Sequence, residues 1–220
     1  KGNYDRKKAV FSLLSAGVPG TVAGLAYALE KYGTLSWQEV IEPALRLAED
    51  GFEVTHDLAK ILSDYKGRLS SNEAFAKAYY KANNNSYKAG EIIKLPDLAW
   101  SLNRLKQFGP NEFYSGEIAK RIVKEMKRNK GIMTLEDLAT YKVVERESVI
   151  GNYQNYKIIS MPPSSSGGTL LIQMLNMLEP YALTQMGFGS SQYIHLLSEV
   201  MKRAYADRSK YLGDSDFVEV

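Results

Sequence analysis

The run Ser164-Ser165-Ser166-Gly167-Gly168, directly after Met161-Pro162-Pro163, is the stretch best suited to holding an anion or an oxyanion. Consecutive glycines at a helix entrance let backbone N–H groups approach a ligand, and the helix start adds partial positive charge. The same residues also suit an ordinary strand-to-helix turn, and on physical grounds both readings stay open. Thr55-His56-Asp57 has the residue types of a catalytic triad, but triad members converge from separate elements, whereas three consecutive side chains point apart. That run reads as the capped start of a helix. His195 and Glu199 have the i, i+4 spacing of at most two metal ligands, and an ion pair on one helix or a core-edge histidine suits them better. Asp207 with Asp214 and Asp216 could hold a cation, yet the glycine and terminal glutamate of an EF-hand are missing, which favours a polar turn.

Other chemistries are excluded or left without support. There is no GxxxxGK[ST] phosphate loop and no HExxH, and Gly187-Phe188-Gly189 lacks the third glycine and preceding strand of a dinucleotide site. No cofactor and no structural metal are expected. The 28 basic and 25 acidic residues leave a net charge of +3, too even a balance to suggest nucleic-acid binding. The absence of cysteine removes disulfides, thiolate zinc sites and a cysteine nucleophile. With 45% hydrophobic and 24% charged residues the chain should fold around a core, and no apolar run reaches the roughly 18 residues of a membrane span. The opening Lys1-Gly2-Asn3-Tyr4 is neither a signal peptide nor an initiator methionine, so residues cut away upstream are expected.

The elements that would position such residues are mostly helical. Thr21 is placed to cap a buried Ala- and Leu-rich helix over 22–31, ended by Gly33. Ser36 and Glu39 form a capping box for a helix in which Pro43 should produce a kink or a split. Thr55 and Asn72 cap two more, Pro96 and Asp97 open a helix running to Phe108, and residues 111–129 read as one amphipathic helix with a basic outer face. Thr134 caps a short helix, and Ser190 or Ser191 opens a long one through Tyr211. Between them the period changes: Val149 and Ile150, then Tyr156 to Ile159, predict a hairpin joined around residues 151–155.

Five ordered motifs together resemble one family. Ala16-Gly17-Val18-Pro19-Gly20-Thr21-Val22-Ala23-Gly24, Gly109-Pro110-Asn111-Glu112-Phe113-Tyr114-Ser115-Gly116, residues 134–141, Met161-Pro162-Pro163-Ser164-Ser165-Ser166-Gly167-Gly168, and Tyr205-Ala206-Asp207-Arg208 with Tyr211-Leu212-Gly213-Asp214 are similar to the large subunit of gamma-glutamyltranspeptidases. The resemblance runs over residues 9–220, with one departure: Ser164 stands where the family usually has a third proline.

The resemblance implies an αββα N-terminal nucleophile hydrolase, made as a precursor that cleaves itself into large and small subunits. It implies that the small subunit's N-terminal threonine attacks gamma-glutamyl amides such as glutathione, and that the acyl group passes to water or to an amino acid or peptide. A threonine hydroxyl needs its own α-amino group as base, so the nucleophile must be a chain terminus. This sequence starts with Lys1, and none of its threonines stands in a Thr-Thr-His context. The resemblance therefore puts the nucleophile, the carboxylate-binding serines and the oxyanion glycines beyond Val220, and the arginine for the substrate α-carboxylate before Lys1. No catalytic residue is expected within the chain.

The expected architecture is a single large-subunit segment over residues 1–220, mainly α with a small β-hairpin (α+β) near 142–160, the helical part of the sandwich. Ser165, Ser166, Gly167 and Gly168 are expected to face the substrate cleft or the small subunit. The implied partners are the small subunit and gamma-glutamyl compounds, in a periplasmic or secreted setting. Such a segment should leave strand edges and apolar faces uncovered. Two other readings stand beside this one: a related acylase, and a non-catalytic helical interaction module on the same scaffold.

Overall fold

A computed structural model describes residues 5–219, leaving aside the side chains of Lys7 and Phe11. The chain divides into two compact units, Lys1–Val143 and Val144–Val220.

The first unit holds α1 (Arg6–Phe11), α2 (Thr21–Tyr32), α3 (Trp37–Asp50), β1 (Phe52–Glu53), α4 (His56–Asp64), α5 (Lys66–Leu69), α6 (Glu73–Tyr79), β2 (Ile92–Ile93), α7 (Pro96–Phe108), α8 (Asn111–Tyr114), α9 (Glu117–Arg128) and α10 (Leu135–Ala139). Its centre is the packing of α3 on α7. Ile41, Leu45 and Ala48, spaced four and three apart, turn one face of α3 into a core with Val54, Leu62, Ile93, Leu95, Ala99 and Leu105. Polar groups at this seam are paired: Trp37 Nε1 donates to the Leu105 carbonyl at 2.7 Å, and Tyr80 Oη donates to the Leu62 carbonyl at 2.7 Å. A second cluster gathers Tyr114, Ala119, Val123, Met126, Met133 and Leu138.

The local start signals work as the residues dictate. Ser36 Oγ accepts from Glu39 N while the Glu39 carboxylate accepts from Ser36 N at 2.8 Å, and Thr134 with Asp137 repeats the arrangement on α10. Thr55, Asn72 and Ser190 each accept a backbone N–H of the helix that follows.

Four expectations for the first unit change. Pro43 does not split α3; it lies on the exposed face of that helix. The N-cap of α2 is Gly20 rather than Thr21, and no residue of α2 is buried: Leu25 and Tyr32 keep 62% and 69% of their surface. Apolar composition states what a helix needs covered, not what covers it. The helix expected over 111–129 is two, because Gly116 adopts extended backbone and the buried Glu112 folds back over it to accept from Glu117 N at 2.9 Å. A second strand pair also forms, with Phe52 opposite Ile93 and Glu53 opposite Ile92; two residues per strand are too few to show a period.

The second unit holds β3 (Val149–Tyr153), β4 (Tyr156–Ser160), α11 (Gly167–Leu178), α12 (Leu183–Met186) and α13 (Ser191–Tyr211). The two strands pair antiparallel, from Val149 opposite Ser160 to Tyr153 opposite Tyr156. Their turn is Gln154-Asn155, with Gln154 at φ 51°, so Gly151 belongs to the strand and not to the turn as expected. Its reason is α11: a Cβ on Gly151 would lie 2.5 Å from Ile172 Cγ2. One side of the hairpin thus carries α11, which packs in turn on α13. The other side presents the cross-strand pair Ile150 and Ile159, 59% and 61% exposed.

Candidate functional site

The chain leaves β4 through Met161-Pro162-Pro163 and turns into α11, and the serine and glycine run forms that turn. Ser165 N donates to the Pro162 carbonyl at 3.1 Å, and Gly167 N donates to Ser165 Oγ at 3.3 Å. Ser164, Ser165 and Gly167 are exposed, Ser166 is half-buried and Gly168 is buried. Ser166 holds the N-cap position with helical backbone, but its hydroxyl does not cap α11. It accepts instead from Arg208 Nε, 2.9 Å away on the last turn of α13.

The two glycines differ in what they allow. A Cβ on Gly168 would lie 2.7 Å from Val149 Cγ2 and 2.9 Å from Met161 N, and closer still to the Met161 carbonyl oxygen. Gly168 is therefore required for α11 to begin against the hairpin, whatever the loop faces. Gly167 is unconstrained in this way, with Ser165 Oγ at 3.4 Å as the one contact its Cβ would make.

The carboxylates on and after α13 are held separately. Asp207 accepts from Gln173 Nε2 of α11. Asp216 pairs with Arg146 at 2.6 Å, which raises the arginine above its usual value, and Asp214 Oδ1 accepts from Asp216 N at 3.0 Å. The arrangement is a polar turn with an ion pair, and Asp207 does not join it. His195 and Glu199 are not partners. Glu199 bonds Lys202 at 2.7 Å and Arg203 at 2.8 Å, and those bonds bring its carboxyl down to about 2. A glutamate three or four residues ahead of a cation on a helix has the favoured orientation, and Lys202 and Arg203 both take it. His195 lines an open cleft of about 650 Å³ with Met177, Tyr181, Met186 and Leu196. In the first unit Thr55 Oγ1 accepts from Leu58 N at 3.2 Å, leaving His56 and Asp57 exposed on the opening turn of α4, a cap and not a triad.

Two residues with clear structural roles escape sequence reasoning. Arg208 belongs to the motif Tyr205-Ala206-Asp207-Arg208, and nothing in the spacing says that it reaches Ser166 across 42 residues. Glu112 reads as one more charged residue on a helix, yet it is 7% exposed and paired with Arg104 at 2.7 Å.

Comparison with known proteins gives a consistent result. The family model described as Gamma-glutamyltranspeptidase matches residues 1–220. The glutathione hydrolase proenzyme of Escherichia coli is 46% identical over 220 residues, which is the whole of this chain and 38% of that protein. Among solved structures, gamma-glutamyltranspeptidase from Helicobacter pylori superposes with a TM-score of 0.94 at 45% identity, covering 99% of this chain and 62% of that one. The enzyme from Pseudomonas nitroreducens, complexed with L-DON, gives 0.91 at 35% identity, covering 100% and 64%. The chain thus spans 38% of the length of the E. coli relative.

Proposed function

The chain belongs to the gamma-glutamyltranspeptidase family, and from this we propose that it is the large-subunit part of an enzyme that cleaves gamma-glutamyl amides such as glutathione. In this reading the gamma-glutamyl group passes to water or to an amino acid or peptide. The nucleophile is the N-terminal threonine of a small subunit outside this chain, produced by self-cleavage of a common precursor. The observation that carries the reading is the 46% identity to a glutathione hydrolase proenzyme across all 220 residues. The uncovered apolar surface supports it: the Ile150 and Ile159 pair and the outward residues of α2 are faces that the remaining length of such a protein would bury. No residue of this chain receives a catalytic role.

The loop of Ser165, Ser166, Gly167 and Gly168 is, in the same proposal, directed to the small subunit or the cleft. Its exposed serines and the free approach to Gly167 support that direction. Because Gly168 is committed to packing, exposed Ser165 is the better probe. A Ser165→Tyr precursor should process or turn over more slowly, and an unchanged enzyme would remove the loop from the interface. The setting proposed is periplasmic or secreted, tested by cell fractionation; among the described residues no helix is long and apolar enough to cross a membrane.

The test of the whole reading is intact mass and N-terminal sequencing of the full-length protein from its source, combined with release of a chromophore from a gamma-glutamyl anilide. A second polypeptide beginning with threonine, together with gamma-glutamyl release, is expected. A processed protein that acts only on other acyl amides would make it an acylase, and a single unprocessed, inactive chain would make it a binding module.

A further inference from the structure

We infer that Arg208 is a positioning residue for the loop of residues 164–168, holding it in the shape in which it meets the rest of the enzyme; the inference rests on the proposed direction of that loop. Asp207 and Arg208 are consecutive on the last turns of α13, and each reaches α11 at a different height. Asp207 takes the Gln173 side-chain N–H, and Arg208 gives its Nε–H to Ser166 Oγ at 2.9 Å. Ser166 and Gln173 are seven residues apart, two helical turns, and so lie on one face of α11. The pairing at Gln173 joins helix to helix. The one at Ser166 joins α13 to the loop itself, at the residue where the turn becomes a helix.

The chemistry of Ser166 makes this more than a surface contact. A serine at an N-cap ordinarily spends its oxygen on an amide of its own helix. Here the helical backbone of Ser166 points the hydroxyl elsewhere, and α11 begins without a side-chain cap. The oxygen is committed to a cation 42 residues away. The loop keeps its local bonds from Ser165 N to the Pro162 carbonyl and from Gly167 N to Ser165 Oγ, and at Ser166 a long-range bond stands in place of a local cap. A small cleft of about 280 Å³, lined by Thr169, Leu170, Gln173, Asp207, Arg208 and Tyr211, lies beside the arginine, so the bond to Ser166 is what holds its Nε at the loop.

The experiment uses the full-length precursor and reads the rate of self-cleavage, and kcat and KM of the processed enzyme. Ser166→Ala and Arg208→Ala are each expected to slow processing or lower kcat by about three- to tenfold, the worth of one exposed hydrogen bond to a cation. The double variant should be no slower than the worse single one. Gln173→Leu, which breaks only the helix-to-helix pairing, is the comparison for a purely structural loss: it should lower Tm at least as much as Ser166→Ala while leaving rates unchanged. Ser166→Thr should restore the rate. Multiplying effects in the double variant, or wild-type rates in both single variants while Ser165→Tyr is impaired, would overturn the role of Arg208 and leave the loop reading in place. Wild-type rates in all of them, Ser165→Tyr included, would overturn both. If the Arg208→Ala precursor does not accumulate, Ser166→Ala against Ser166→Thr decides, since neither disturbs the guanidinium's own helix.

Discussion

Replacing Glu112 should weaken the first unit more than any other single charge removal among the described ion pairs, and the structure sets the size. Its carboxylate, on α8, is 7% exposed, and Oε1 accepts from Arg104 Nη2 at 2.7 Å, from Arg104 Nε at 2.8 Å and from Glu117 N at 2.9 Å. Gly116, the N-cap of α9, has no side chain to offer, so Glu112 supplies the missing acceptor. Removing one partner of a buried ion pair costs about 3–5 kcal/mol, but Arg104 keeps 30% of its side-chain surface and can partly hydrate. Glu112→Ala should therefore cost about 2–4 kcal/mol, and Glu112→Gln, which retains an acceptor for Glu117 N, about 1–2 kcal/mol. Burial pushes the carboxyl up, and the bonds from Arg104 and from the Glu117 and Ile118 amides outweigh it, so the folded value lies below the ordinary 4.5. A lowered folded value means stabilisation that is complete above 4.5 and is lost as pH falls through the folded value. The assay is hydrogen exchange of the amides opening α9 in the full-length protein, read with thermal unfolding, from pH 7 down to pH 3. The gap between the wild type and Glu112→Gln should stay constant to about pH 5 and then close, because a protonated glutamate and a glutamine are nearly the same group. A gap that persists undiminished at pH 3, or an alanine variant that costs less than about 1 kcal/mol, would refute the assignment of Glu112 as a charged cap.

Three further outcomes follow from the geometry. Gly151→Ala should destabilise by about 1–3 kcal/mol, since its Cβ would meet the stiff, β-branched Ile172 at 2.5 Å, and Ile172→Ala should relieve part of that cost in thermal unfolding of the double variant. Gly168→Ala should destabilise too, with no such relief available from a side chain, because the obstructing atoms include the Met161 backbone; a variant with wild-type Tm would contradict the packing. Glu199 should titrate by NMR near 2, contributing stability that is complete above its ordinary 4.5 and is lost as pH falls from there through about 2, and His195→Ala should leave its midpoint in place while Arg203→Met raises it.

Legibility divides by range. Most helix starts are readable because a cap is settled within four residues: Ser36 with Glu39, Thr134 with Asp137, Thr55, Asn72 and Ser190 all do what their side chains permit, and Thr21 is the exception. The span of α7 was equally plain, bounded by Pro96 at one end and by Gly109 at φ 79° at the other. Where the deciding group was distant, the reading slipped. Gly151 looked like a turn because a glycine between two β-branched runs does, and only the approach of Ile172 shows why a strand has one. The break at Gly116 was invisible because residues 111–129 keep one apolar stripe across it, and the acceptor that makes the break stable comes from a glutamate that helical periodicity assigns to the surface.

The candidate site follows the same rule and gives it a functional edge. From the run Ser164-Ser165-Ser166-Gly167-Gly168 the turn could be located, and the strand before it and the helix after it are where the residues put them. What the run could not state is that its members do different work: Gly168 is filled by its neighbours, Ser166 is tied to Arg208, and Ser164, Ser165 and Gly167 are exposed. A sequence motif treats adjacent residues as one unit because selection on any of them leaves the same kind of trace. Packing separates them, since a buried glycine answers to the hairpin beneath it and an exposed serine does not. In the proposed reading, the loop's value as a recognition element depends on its two anchors, buried Gly168 and half-buried Ser166, being fixed by the chain itself, which leaves the exposed residues free to meet the partner.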